Sequence, residues 1–379
     1  MTNRIKINLE IVGLFVAIFA CIATYWGIIP EDRRWPFTTD DSGEMPTSTP
    51  PISNPTTPTP NPWAGIIDLD NRGLDLIQGY ELWFSSLAGN RWQIWHLDSQ
   101  TGEINRIPLD VPAEQALIDQ FVPSVSPNGE KMALSIGPCE EGGHCDRDLY
   151  LANVDGSNVV QLTNDNCLDE FHASWSPNGQ FLTYFAGIWN DPVCSNSPHG
   201  IWVMNVGTGE VQKLTDRGDF DPVWSPNGRY IAYHSAEPSW DLKVLDFDSC
   251  GTEINSCTTW IAANIGTLSS SAAWINDNML AFTSDETGNF ELYTVPVILG
   301  QTLKPTRITN NNWDDQYPAV STDGKIIIWQ AFPYYDQGDS GAATGKTAII
   351  YVMAVDELEP KPLITGIGNA RDGFLKPLP

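Results

Sequence analysis

Phe171-His-Ala-Ser-Trp175-Ser-Pro-Asn178-Gly179 is preceded by Phe121-Val-Pro-Ser-Val125-Ser-Pro-Asn128-Gly129 and followed by Phe220-Asp-Pro-Val-Trp224-Ser-Pro-Asn227-Gly228. Two weaker copies continue the series, Ser271-Ala-Ala-Trp274-Ile-Asn-Asp-Asn278 and Tyr317-Pro-Ala-Val-Ser-Thr-Asp323-Gly324. The turn positions 129, 179, 228, 278 and 324 stand 46 to 50 residues apart. A fixed period of that size marks a repeat architecture, in which one unit cannot bury its apolar faces alone and must stack on its neighbours.

Each copy reads as a small sheet. Asn-Gly between apolar runs predicts a hairpin with a two-residue type I′ turn, because Asn and Gly accept positive φ most easily. After Asn227-Gly228 comes Arg229-Tyr-Ile-Ala-Tyr-His234, rich in aromatic and β-branched residues and hence a strand. Asp241-Leu-Lys-Val-Leu-Asp-Phe247 alternates with period two, and Thr258-Thr-Trp-Ile-Ala262 gives a fourth strand. Third strands align along the chain as Gln93-Ile-Trp-His-Leu97, Asp148-Leu-Tyr-Leu-Ala152, Gly200-Ile-Trp-Val-Met204, Glu291-Leu-Tyr-Thr-Val295 and Ile349-Ile-Tyr-Val-Met353. Fourth strands align as Val160-Gln-Leu-Thr163, Gln212-Lys-Leu-Thr215, Thr306-Arg-Ile-Thr309 and Pro362-Leu-Ile-Thr365. Tyr80-Glu-Leu-Trp-Phe-Ser85 opens one more unit upstream.

Six units of four strands predict an all-β chain folded as a six-bladed β-propeller of antiparallel blades, an arrangement that leaves only short edges. The regular period, together with the return of the chain, argues against a linear solenoid or two sandwiches. Phe374 follows Thr365 as Phe171 and Tyr317 follow their own Thr residues, so the C-terminal segment is expected to complete or cap the first sheet. Trp175, Trp224 and Trp274 recur at one strand position and read as packing residues.

Trp-Ser-Pro-Asn-Gly, combined with Ile/Leu-Tyr/Trp-Val-Met and Leu-Thr, resembles the repeat of TolB-like six-bladed propellers, related to WD-type (WD40-like) repeats. The resemblance covers about residues 79 to 379; the fourth copy, at Trp274, lacks Ser-Pro-Asn-Gly. It implies the fold and leaves the activity open, since propellers host many functions.

Residues outside the repeats suggest an anchor and a stalk. Residues 11 to 29 form an uncharged apolar run, long enough as a helix to cross a hydrocarbon core of about 30 Å. Residues 1–35 are therefore expected to be a retained single-pass signal-anchor; lipidation at Cys21 and a cleaved signal peptide are the competing readings. Residues 36–63 are dense in Pro and Thr and fit a disordered, semi-rigid stalk. Residues 64–379 would be the propeller, on the extracytoplasmic side of the cell membrane.

Cysteine usage supports that compartment. Besides Cys21, six remain, and the expected disulfides are Cys139 with Cys145, Cys250 with Cys257, and Cys167 with Cys194. Zinc is a poorer reading, because Cys139, His144 and Cys145 lack a second ligand pair at usual spacing. The net charge of −27 is the reverse of a nucleic-acid-binding footprint, and favours solubility, cations or basic partners.

Acids cluster where the first strands begin: Asp169 and Glu170, Asp219 and Asp221, Asp314 and Asp315, with His172 and Trp313 among them. Placed at the channel mouth, they would suit a hard cation such as Ca²⁺ or a Lys/Arg-bearing peptide. Taken singly, each Asp is more readily a turn-capping residue; taken together, they read as a binding mouth. Trp189, Trp240 and Tyr334, on loops between second and third strands, could grip a peptide or stack on a glycan. Gly338-Asp-Ser340-Gly341 has no partner His motif, and no Gly-x-Ser-x-Gly, His-Glu-x-x-His or phosphate loop occurs. The expectation is a scaffold without resident cofactor, binding a protein or peptide of the cell envelope. The alternative is a polysaccharide-binding or uronate lyase-like propeller centred on His172.

Overall fold

The computed structural model describes residues 68–88, 91–111, 119–137, 146–164, 168–187, 199–216, 218–236, 240–253, 255–265, 269–333, 349–365 and 370–378. The expected anchor and stalk, Trp189, Tyr334, and the pairs Cys139–Cys145 and Cys167–Cys194 lie outside these residues. Among the described residues no helix is long and apolar enough to cross a membrane.

The strands form six antiparallel sheets, called blades 1 to 6 in chain order. Blade 2 runs Asp119–Val125, Lys131–Gly137, Asp148–Asn153 and Val160–Gln161 from the axis outward. Blade 3 runs Asp169–Trp175, Phe181–Gly187, Gly200–Asn205 and Val211–Lys213. Blade 4 has Asp219–Trp224, Tyr230–Ser235, Asp241–Asp246 and Thr258–Asn264; blade 5 has Ser269–Asn276, Met279–Ser284, Glu291–Pro296 and Thr306–Arg307. Blade 6 has Trp313–Val320, Ile326–Pro333, Ile349–Ala354 and Lys361–Thr365, and gains a fifth, two-residue strand at its outer edge where the chain enters at Leu69.

Blade 1 takes its inner strand from the other end of the chain. Ala370–Pro377 pairs antiparallel with Tyr80–Ala88, Leu375 opposite Leu82 and Phe374 opposite Trp83. The inner strands contact one another in an unbroken cycle, so the ring closes as the position of Phe374 predicted. Tyr80 Oη donates to Asp323 (2.9 Å) and Thr322 N to Leu375 O (3.2 Å), tying the closing blade to blade 6.

Apolar side chains pack between blades, as the repeat pattern requires. Trp83, Ile94, Met132 and Leu134 join blades 1 and 2, and Ile201, Val203, Trp224 and Ile231 join blades 3 and 4. Trp175 and Trp274 also donate their indole N–H to the preceding blade's inner strand, at Ser124 O (2.9 Å) and Val223 O (3.0 Å). Trp224 packs at the same position without such a bond, so it is the ring's packing between blades that all three share.

The Asn-Gly turns differ from the two-residue type I′ reading. Gly228 N donates to Ser225 O (2.9 Å), closing a four-residue turn over Ser225-Pro-Asn-Gly228, and only the glycine takes positive φ (+74°). The reason lies in the residues before Gly. Pro at the second position presets the helical φ of a type I turn, Asn227 Oδ1 accepts from Arg229 N (2.9 Å), and Ser225 Oγ accepts from Tyr230 N (2.9 Å). The Ser126 and Ser176 turns repeat the pattern.

Candidate functional site

Register places the start of each inner strand beside the connection between second and third strands: Asp219 opposes Ser235, and Ser235 opposes Asp241. One end of the ring, the loop end, therefore carries the candidate acids. The Ser-Pro-Asn-Gly turns occupy the opposite end.

Several of these acids hold blades together. Asp169, 2% exposed, takes a bidentate contact from the fully buried Arg147 of blade 2, with Nε to Oδ1 at 2.6 Å and Nη2 to Oδ2 closing the fork. Arg147 also lies over the Phe171 ring at 4.7 Å, and its carbonyl accepts from Glu170 N (2.8 Å). Glu170 accepts from Thr163 Oγ1 (3.2 Å), whose oxygen in turn accepts from Leu149 N (2.8 Å). The recurrent Leu-Thr thus clips outer strand to third strand, as Thr309 does with Leu292 N (2.9 Å) and Glu291 (2.6 Å) in blade 5.

The seam between blades 5 and 6 repeats the device with different partners. Asp314 accepts from Phe290 N (2.9 Å), and Asp315 N donates to Phe290 O (2.8 Å). Asp315, 1% exposed, accepts from Trp329 Nε1 (2.9 Å) and Asn311 Nδ2 (2.7 Å). Glu291, fully buried, takes Arg307 Nη2 at 2.5 Å and Asn311 N at 2.9 Å. Burial pushes the Asp315 carboxyl up to about 6 against the donors Trp329, Asn311 and Thr309, with Glu291 adding to the rise. Burial likewise raises Asp314; its bond from Phe290 N opposes this, and the charges of Asp285 and Glu291 add to it. Trp313 is half-buried, its N–H held by Asn311 Oδ1 (2.6 Å) and its carbonyl by Asn289 (2.5 Å).

His172 and Asp221 belong to a second set, on the channel wall. Each inner strand carries a β-bulge, and in blades 3 to 6 its residue adopts left-handed backbone: His172, Asp221, Ser271 and Tyr317, with φ between +49° and +56°. Bulges re-aim side chains, and here they join neighbouring blades. His172 Nδ1 bonds Asp221 Oδ1, and Asp221 Oδ2 accepts from Ser271 N (3.3 Å). Burial works to raise the Asp221 carboxyl, but the charge and hydrogen bond of His172 outweigh it, helped by His234 and Ser271 N, and hold it below the usual value. Burial lowers the His234 imidazole to about 4 despite Asp221, so that ring is neutral near pH 7.

Asp219 is half-buried with Lys243 Nζ at 3.9 Å, and Trp240 packs edge-on to Phe220 at 5.7 Å. The structure thus brings His172 and Asp221 together, gathers Glu291, Asp314 and Asp315 at one seam, and ties Asp169 and Glu170 to another. Among the described residues no group of three or more His, Cys, Asp or Glu is arranged to hold a metal ion. The Cys250–Cys257 disulfide is formed, and its loop leans on blade 3 through Asn255 N to Leu214 O (3.0 Å) and Gln212 Nε2 to Gly251 O (2.6 Å). Arg147, Ser271 and Tyr317 escaped the sequence reading. The last two were findable, because positions 172, 221, 271 and 317 align three residues before Trp175, Trp224, Trp274 and Val320.

No family model and no curated protein matches the sequence. Among solved structures, TolB from Acinetobacter baumannii is similar at a TM-score of 0.59 and 15% identity, covering 79% of this chain and 67% of that one. A Nidogen/Laminin complex is similar at a TM-score of 0.53 and 11% identity, over 78% and 98%. An oligogalacturonate lyase from Vibrio parahaemolyticus reaches 0.47 at 11% identity, over 74% and 73%, too distant to bear on chemistry. At these identities the likeness is one of fold, and the fold is that of a TolB-like six-bladed propeller.

Proposed function

We propose that the chain is a membrane-tethered, extracytoplasmic scaffold that binds a basic protein or peptide of the cell envelope at its loop end. The observation that carries this reading is the charge balance there. Four bases of that end each face an acid: Arg147 faces Asp169, Lys213 faces Asp216, Lys243 faces Asp219 and Arg307 faces Glu291. Asp314 and Asp315 are held by neutral donors, whereas Asp221 on the channel wall is engaged by His172. Surplus negative charge over a rigid ring steers and orients a cationic partner. Because Asp169, Glu170 and Asp315 are buried in seams, contact falls to the accessible groups of that end, Asp216, Asp219, Trp240 and Glu286. The apolar run of residues 11 to 29 would supply the tether, and the disulfide at Cys250 suits an oxidising compartment. A lyase reading depends on His172, which is 9% exposed and engaged by Asp221.

The test is site-specific photocrosslinking from Trp240 in intact cells. The reading expects capture of an envelope protein, weakened by salt and lost in an Asp219→Lys/Glu286→Lys variant. Capture indifferent to both, or no capture, would end it.

A further inference from the structure

The opposite end of blade 4 holds a second surface. Outer strands of blades 1, 2, 3 and 5 are 4, 2, 3 and 2 residues long, whereas that of blade 4, Thr258–Asn264, has 7. Blade 6, whose outer strand has 5 residues, covers that edge with its own chain, Asp70 N donating to Leu363 O (2.9 Å). On blade 4 the cover is partial. Thr302 Oγ1 and Leu303 N reach Ile261 O and Ala262 O (both 2.8 Å), and Thr258 N donates to Ser249 Oγ (2.7 Å), which leaves the exposed Thr259 as the uncovered part of the edge. An open edge strand is a template for another strand.

Beside this open stretch lies a cavity of about 390 Å³, lined chiefly by Tyr230, Trp260, Pro296, Ile298 and Leu299. Tyr230 and Trp260 meet edge to face at 5.6 Å. Ile298 and Leu299 are 45% and 55% exposed, although large apolar side chains this exposed are few among the described residues. The indole N–H of Trp260 is shielded and has no hydrogen-bond partner. The rim carries charge of both signs with acids in excess: Arg229 lies over the Tyr230 ring at 5.0 Å and pairs with the buried Asp246 (2.8 Å), the exposed Asp248 stands near Arg229, and Asp277 adjoins the lining residue Asn278.

We propose that this edge docks an extended segment of a partner protein. The segment adds a strand along the edge at Thr259, inserts one aromatic or branched aliphatic side chain against Tyr230, Trp260 and Leu299, and flanks it with Lys or Arg. Backbone bonds to the edge supply affinity, the cavity selects the apolar side chain, and the rim selects the flanking charge. This surface lies at the turn end and stands independently of the loop-end reading.

The test is fluorescence anisotropy of the full chain with a labelled octapeptide that alternates Lys with Val around a central Phe. A matched peptide with Pro at alternate positions, unable to join a ladder, serves as control. Binding of the first peptide alone is expected, weakened by about tenfold or more in Leu299→Asp and Ile298→Asp and unchanged in Val160→Asp, a surface change on blade 2. Circular dichroism checks that each variant keeps its fold. Equal binding of both peptides would overturn strand addition, and no binding at millimolar peptide would overturn the site. A dimer that Leu299→Asp dissolves would assign the edge to a second copy, overturning the partner reading.

Discussion

Asp315→Asn should reverse its effect on stability with pH. In the folded chain the carboxyl lies between blades 5 and 6 and burial lifts its pKa from 3.8 to about 6. The folded state therefore holds this proton more tightly than the unfolded chain does. The contribution is fully present below the unfolded value, falls as pH rises through the folded value, and is gone above it. At about 1.4 kcal/mol per unit, the rise corresponds to roughly 3 kcal/mol between pH 4 and pH 7. Asn removes the titration and keeps an acceptor for Trp329 Nε1. It also sets its NH₂ against Asn311 Nδ2, and Asn311 is not free to turn over because its Oδ1 holds Trp313 N at 2.6 Å. That conflict costs about 1–2 kcal/mol at every pH. The variant should thus be less stable than wild type by about 1–2 kcal/mol near pH 4, and more stable by a similar amount above pH 7. Urea unfolding followed by tryptophan fluorescence across pH 4 to 8 reads both limits. Parallel stability curves for the two proteins would mean instead that Asp315 titrates alike in folded and unfolded chains.

Other seams make sharper demands. Arg147→Met should cost about 3–5 kcal/mol, since it strands the buried Asp169 carboxylate, while the double change Arg147→Met/Asp169→Leu should recover much of the loss; chemical denaturation separates the two. Trp274→Ala should cost about 3–5 kcal/mol through lost packing between blades 4 and 5, whereas Trp240→Ala, half-buried on a loop, should change the unfolding midpoint little. Removing the Cys250–Cys257 bridge by Ser substitution should cost about 2–3 kcal/mol for so short a loop. It should also speed hydrogen exchange at Asn255 N, where that loop meets blade 3.

The repeat was legible because its signals are local. Ser-Pro-Asn-Gly fixes a turn within four residues, and alternation in Asp241 to Phe247 fixes a face within seven. Phe374 betrayed the closing strand through its spacing from Thr365. What sequence hid was pairing between residues far apart in the chain. Nothing near Asp169 announces Arg147, because the ion pair joins two blades across a buried seam. For the same reason the acids at the strand starts read as one open cluster, when Asp169, Glu170 and Asp315 face into seams. The turn was read from Asn-Gly alone, and the preceding Pro and the Ser hydroxyl decide its geometry. His172 was singled out for its chemistry, but its left-handed backbone and its bond to Asp221 follow from a bulge that residue type does not reveal.

The last strand of the chain closes the ring. Hydrogen exchange of Ala370–Pro377 tests it most directly, because those amides pair with Tyr80–Ala88 only if the two ends meet. Laddered amides of the two strands should exchange at matching slow rates and be lost together in denaturant. Fast exchange of Phe374 and Lys376 beside a protected Leu82, whose amide faces the third strand of blade 1, would mean that the two ends do not meet.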